Sequence, residues 1–287
     1  MTIDHNVDHI AILVCDTPIE GISSKYGDFG DNVKDLLTAI NDYPLPYITQ
    51  RYDIATSDIN PSQEIINELK STYDRLRAGI VFGYIKGIIL TGSRADCFAN
   101  DILWINLLDT FIQQVLNNLC NFPIVGICFG HQILAKNLGA KVGRNGDIGW
   151  ELGITTVEIN SDIYNIPNSP FVGPLNKEIG HINIVESHQD IVHNVPITQT
   201  TRFITLGSTS KCTVQGLLTA DGPLKLLTFQ GHPEFTTPLA LDLLISDRNN
   251  GIITDYELDK YTYNTNNLNN QGQLLAKVIN NFLTIHK

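Results

Sequence analysis

The run Ile124-Val125-Gly126-Ile127-Cys128-Phe129-Gly130-His131-Gln132 constrains the fold of this chain more than any other stretch. A β-branched apolar segment enters a cysteine held between two glycines, and helical spacing begins at once, from Phe129 to about residue 138. This pattern predicts a sharp strand-to-helix turn that presents one sulfur. The nucleophile of such a turn sits in strained backbone, and flanking glycines remove the side chains that would clash there. The first amides of the helix carry partial positive charge, which favours thiolate over thiol. The same amides can face an oxyanion. A cysteine in an ordinary apolar run reads as a small buried hydrophobe; the glycines and the strand–helix transition set Cys128 apart.

A second motif, Gln230-Gly231-His232-Pro233-Glu234-Phe235, follows the apolar run 223–229, which reads as a strand. In an extended segment residues two apart point to the same side. His232 and Glu234 are therefore expected to face one way, with Pro233 stiffening the segment. A histidine oriented by a carboxylate is the base that a cysteine nucleophile needs. Without Cys128, the same His-Pro-Glu would read as a surface turn.

Strand and helix patterns alternate around these motifs. Buried strands are expected at 9–15, 47–54, 87–90 and 123–127. Helices are expected at 33–40, at 63–76 with Ser62 as cap, and at 102–119. Continuous apolar strands separated by helices imply an α/β fold: an open, mostly parallel sheet with helices on both faces. Chemistry in such folds sits at the carboxyl ends of the strands, where Thr91-Gly92, Cys128 and His232 all fall. From about residue 141 to 219 the signal changes to shorter strands, at 152–159, 182–186, 200–206 and 212–218. These predict a mixed, partly antiparallel extension. The Pro-, Asn- and Ser-rich stretch 160–174 reads as a surface loop, and so does the Asn-rich stretch 263–270. Helices are expected at 238–244 and 273–284. There is no internal repeat.

With both motifs in view, the chain resembles the class I (triad, Cys-His-Glu) glutamine amidotransferases. Gly126–Gln132 looks like their nucleophile signature and Gly231-His232-Pro233-Glu234 like their His-Glu signature. Leu90-Thr91-Gly92-Ser93 resembles the oxyanion loop. Glu186-Ser187-His188-Gln189-Asp190 is similar to the substrate-side Ser-His-x-Asp stretch of members related to the amidotransferase part of GMP synthase. The resemblance covers roughly residues 8–240. Asp101-Ile102-Leu103-Trp104-Ile105 looks most like the stand-alone eukaryotic branch that includes plant γ-glutamyl peptidases. The fold implied is flavodoxin-like, with residues 1–245 as the family domain and 246–287 as a helical extension packed on it. That extension reads as packing, a lid or an interface.

The resemblance implies acyl transfer to a thiol. Cys128, His232 and Glu234 are the expected catalytic residues, and the amides of Gly92 and Phe129 the expected oxyanion donors. Gln132, Ser187 and His188 are the expected substrate-side residues. Gln132 reads equally as a helix-surface residue bonded to backbone. Arg94 either meets a substrate carboxylate or is a solvated loop residue, and Cys97 is either redox-active or a partly buried thiol. His131, Trp104 and Trp150 read as structural. The loop carries Thr-Gly-Ser-Arg where the family more usually has a double glycine. A side chain at Ser93 leaves both a preformed and an inducible oxyanion hole open.

The bulk numbers narrow the classes. A chain of 287 residues can bury one large α/β core but leaves no room for a synthetase domain. A net charge of −11 argues against nucleic-acid binding, which needs clustered Lys and Arg. The five cysteines form no CxxC pair, which argues against a zinc site or disulfide framework and fits a reducing cytoplasm. No cofactor or metal is implied. Residues 1–5 carry no targeting pattern and no apolar run is long enough for a bilayer, so no membrane partner is expected. The partners expected are a small-molecule substrate, glutamine or a γ-glutamyl compound, and for one reading a separate synthetase. Four functions stay open: a stand-alone γ-glutamyl hydrolase, an ammonia-donating subunit, a non-catalytic scaffold, and a cysteine redox sensor.

Overall fold

A computed structural model describes residues 7–99, 101–175 and 179–285. Residues 1–5, read above for a targeting pattern, lie outside the described residues. In chain order the elements are β1 (His9–Val14), α1 (Ser23–Tyr26), α2 (Phe29–Thr38), β2 (Ile48–Asp53), α3 (Gln63–Val81), β3 (Ile85–Leu90), α4 (Leu103–Asn118), β4 (Pro123–Ile127) and α5 (Phe129–Asn137). They continue as β5 (Val142–Arg144), β6 (Glu151–Ile159), β7 (His181–His188), β8 (Asp190–Val192), β9 (Arg202–Thr205), β10 (Gly207–Ser208), β11 (Leu217–Asp221), β12 (Lys225–Phe229), α6 (Thr237–Asn249), α7 (Asp255–Asn267) and α8 (Gly272–Thr284).

Seven strands form the main sheet in the order β2-β1-β3-β4-β12-β11-β9. The first five of these run parallel, and β11 and β9 close one edge antiparallel. This is the open, mostly parallel α/β sheet expected from the sequence. Its two cores follow from strand periodicity. Alternate residues of β1 point to opposite faces. Ala11 and Leu13 join the core under α3, α4 and α5, while Ile10, Ile12 and Val14 join the core under α2 and α8. β1 and β4 are buried along their whole length and read as nearly unbroken apolar runs, whereas the edge strand β2 alternates with exposed polar residues. Ser62 caps α3 by accepting from the Ile65 amide at 3.3 Å, as expected.

The antiparallel extension divides in two. β11 and β9 belong to the main sheet, whereas β10-β6-β7 and β5-β8 are separate small sheets. Three local expectations are corrected. The segment 212–218 is not a strand throughout: pairing begins at Leu217, and Cys212 and Gln215 are held by side-chain bonds to Thr209. The supposed loop 160–174 contains a 3₁₀ turn, Ser161–Asn165, and buries Ile163, Tyr164 and Phe171 in the α2/α8 core. The Asn-rich stretch 263–270 lies largely in α7. A capping box between Thr254 and Glu257 starts that helix, and Tyr261 and Thr265 are its buried residues.

The docking of α7 depends on Gly153 of β6. That residue has φ +66°, and a Cβ there would lie 2.5 Å from the Thr265 hydroxyl oxygen. The same hydroxyl accepts from the Ile154 amide at 3.0 Å. The helix expected at 238–244 is longer, so α6 runs through residues 245 and 246. No described helix is long and apolar enough to cross a membrane.

Candidate active site

β4 ends at Ile127 and α5 begins at Phe129, so Cys128 alone makes the turn. Its φ of 49° and ψ of −103° are strained for a residue with a side chain. The strain is held by backbone bonds on both sides. The Cys128 amide donates to the Phe229 carbonyl at 2.8 Å, and the Gln132 amide donates to the Cys128 carbonyl at 3.0 Å. The bracketing glycines are steric requirements. A Cβ at Gly126 would lie 2.6 Å from the Gly130 carbonyl oxygen, and one at Gly130 would lie 2.5 Å from the Leu90 carbonyl oxygen. The Gly130 amide is taken by the Thr91 carbonyl at 3.2 Å. Phe129, one position earlier, is in the first turn of α5, where amides have no intrahelical acceptor.

His232 is held by an antiparallel bridge to Val185, its amide donating to the Val185 carbonyl at 2.7 Å. The chain then turns at Pro233–Glu234, where an extended segment was expected, because it leaves the sheet to enter α6. The two side chains nevertheless meet: the Nδ1 of His232 is 2.8 Å from the Oε1 of Glu234. The His232 ring stacks on Phe235 at 4.1 Å and 9°. With Nδ1 on the carboxylate, Nε2 is the nitrogen left for the Cys128 sulfur. Burial lowers the affinity of His232 for a proton, but Glu234 and the Cys128 sulfur outweigh it and raise its pKa to about 10. Gly92 closes over the same ring; a Cβ there would lie 2.7 Å from the His232 Cε1.

Cys128 and His232 open into a cavity of about 520 Å³, which Gln132, Ser187 and His188 also line. Gln132 is buried, donating from Nε2 to the Asp190 carbonyl at 2.9 Å and to the Gln230 Oε1 at 3.3 Å. Gln230 in turn reaches the Cys128 sulfur at 3.8 Å. Gln230 was not singled out in the sequence, although it opens the His-Glu motif. Arg94 lines the cavity but is held by Asp16, at 2.8 and 3.0 Å. Trp150, expected as a packing residue, lines the cavity; Trp104 packs against Phe129 at 5.5 Å.

A second histidine–carboxylate group sits behind the first. The Nε2 of His188 lies 3.1 Å from Glu186 and 3.2 Å from Glu151, all three buried. The β6–β7 register places Glu151 directly opposite His188. Burial lowers the His188 pKa, but the two carboxylates outweigh it and raise it to about 10. Burial raises Glu186 to about 7, and Glu151 is held below its ordinary value by His188 and Gln215 despite burial. These three residues are close enough to share a metal ion, with ligand atoms within 4.8 Å of one another. The ring nitrogen lies within ion-pair distance of both carboxylates, but among the described residues neither it nor the Glu186 oxygens make a hydrogen bond.

Burial pushes Cys15 and Cys97 up to about 12 and raises Cys212 as well. That disfavours a thiolate at Cys97. His131 donates or accepts at Thr228 across 2.7 Å, and burial lowers it to about 3, so it is structural as expected.

The family model "Glutamine amidotransferase class-I" matches residues 83–245. A glutamine amidotransferase-like protein of Schizosaccharomyces pombe is 34% identical over 255 residues, covering 88% of this chain and 89% of that protein. Gamma-glutamyl peptidase 2 of Arabidopsis thaliana is 29% identical over 198 residues, 69% of this chain and 73% of that protein. A crystal structure of a glutamine amidotransferase from Thermotoga maritima superposes with a TM-score of 0.59 at 18% identity, covering 98% of this chain and 99% of that one.

Proposed function

Because the chain belongs to the class I glutamine amidotransferase family, we propose that it is a γ-glutamyl hydrolase with a Cys128–His232–Glu234 triad. The observation that carries this reading is the buried His232, bonded to Glu234 at 2.8 Å and paired with the sulfur of the strained Cys128. Cys128 thiolate attacks the γ-carbonyl carbon of the glutamyl group. The oxyanion that forms is bound by the amides of Gly92 and Phe129. The C–N bond then breaks as His232 gives its proton to the departing amine, leaving a γ-glutamyl thioester. Water attacks the thioester while His232 takes its proton; the C–S bond breaks and glutamate leaves. Glu234 keeps the imidazole in one tautomer and offsets its charge throughout.

Two observations support a substrate larger than glutamine. The cavity of about 520 Å³ extends past the sulfur to Trp150, Leu243 and Ile252. Glutamine, with ~10 heavy atoms, needs only the low end of the ~300–1,000 Å³ range of ligand pockets. The Arabidopsis relative is by name a γ-glutamyl peptidase.

The test is glutamate release from glutamine, glutathione and a γ-glutamyl conjugate, with Cys128→Ala as control. Cys128-dependent turnover of the peptides in preference to glutamine is expected. Preference for glutamine would move the reading to an ammonia donor for a separate synthetase, and no turnover of any compound would reject it.

A further inference from the structure

The outer part of the cavity is built by the C-terminal half of α6 and the turn after it, which contribute Leu243, Ser246, Asp247, Asn250 and Ile252. Asp247 is out of place on structural grounds alone. It lies in the last turn of α6, where the helix dipole disfavours an anion. It is about half-buried, and burial alone raises its carboxyl to about 6. Its sequence neighbour Arg248 turns away to Asp255 at 2.6 Å. Among the described residues no cation pairs with it. An unpaired, partly buried carboxylate destabilises a fold, so its presence here calls for a partner from outside.

The charges of the other cavity residues specify the partner. Arg94 is neutralised by Asp16. Arg144 is shared by Asp190 at 2.7 Å and Asp96 at 2.8 Å, so that group is already anionic. His188 and His232, which also line the cavity, are offset by Glu151 with Glu186 and by Glu234, so with Asp247 added the cavity holds an excess of negative charge. Building on the hydrolase reading above, we propose that Asp247 is a specificity-determining residue that binds an ammonium group of the substrate. That ammonium is either the α-amino group of the γ-glutamyl half or an amine on the leaving half. In both cases the carboxylate gains the charge-assisted hydrogen bond it lacks in the free protein.

The experiment compares wild type with Asp247→Asn on γ-glutamylglycine, its N-acetyl form, and the γ-glutamyl amide of a diamine. Binding of the same compounds is measured by calorimetry on Cys128→Ala with and without Asp247→Asn. The substitution is expected to raise KM and Kd ~10-fold for each compound that carries the ammonium group Asp247 binds. It should leave kcat and the N-acetyl compound within about twofold. It should also unfold at an equal or higher temperature, since a partly buried, unpaired anion is removed. An effect confined to the diamine amide assigns the ammonium to the leaving half; an effect on γ-glutamylglycine as well assigns it to the α-amino group. Equal change on all three compounds, or none, overturns the proposal. Absent turnover with Asp247-dependent binding rejects the hydrolase reading alone, and absent binding of every compound rejects both.

Discussion

The two walls of the cavity are made of different material. The inner wall is the carboxyl edge of the parallel sheet, where Cys128 and the loop at Gly92 sit on the ends of β4 and β3, with His232 just beyond β12. Every position there is fixed by backbone: glycines that admit no Cβ, a carbonyl tied to an amide, a bridge at Val185. The outer wall is a helix end, α6, seated through side chains on the small sheet and backed by α7. Its residues at the cavity include the unpaired Asp247. The comparison separates two tasks. On the proposed function, chemistry that tolerates no displacement rests on strand ends, and discrimination between substrates rests on a surface that can change without disturbing the sheet.

Breaking the inner wall has the largest consequences. Cys128→Ala should lower glutamate release at least ~10³-fold, with little change in melting temperature because alanine keeps the strained φ. Glu234→Gln should cost roughly 10²-fold or more in kcat, since the imidazole loses its orienting acceptor; retention of near-full kcat would remove Glu234 from the account. His188→Gln leaves two buried carboxylates without their cation. Denaturant titration should show a loss of about 3–5 kcal/mol.

The outer wall should respond less. Gly153→Ala forces a Cβ onto Thr265 and loosens α7, with an expected cost of about 1–3 kcal/mol. An unchanged midpoint would show that α7 is not seated there. Asp247→Asn should alter KM and spare kcat, the smallest change of the series and the one that marks the division between the walls.

Stability should also depend on pH in a defined window. His232 and His188 are raised from 6.5 to about 10 on folding, so the folded state holds protons that the unfolded chain has released. Their contribution is complete below pH 6.5 and is lost as pH rises through about 10. Glu186, raised from 4.5 to about 7, acts in the same direction at lower pH: its contribution is present below 4.5 and lost through about 7. The denaturation midpoint should therefore fall between pH 6.5 and 10. A flat profile there would mean that neither histidine is paired as described.

The sequence revealed what local sterics dictate. The pattern Gly126-x-Cys128-x-Gly130 can be read because both glycines meet backbone at the turn, Gly126 the Gly130 carbonyl one turn on and Gly130 the Leu90 carbonyl of β3. The inner parallel strands β1 and β4 can be read because burial on both faces keeps them almost wholly apolar. The outer wall was illegible for the opposite reason. α7 is poor in apolar residues because it buries little beyond Tyr261 and Thr265, and its seat is a glycine more than a hundred positions away. Glu151 meets His188 only through the register of β6 and β7. Nothing in the residues around Asp247 signals that a helix end will face Cys128.

The central claim is that Cys128 alone becomes acylated by a γ-glutamyl group. The most direct test mixes protein with a γ-glutamyl peptide, quenches in acid within a turnover, and maps the adduct by mass spectrometry. The account predicts one γ-glutamyl group on the peptide bearing Cys128 and none on those bearing Cys15, Cys97, Cys120 or Cys212. Glutamate release that persists in Cys128→Ala, or an adduct on another residue, would contradict it.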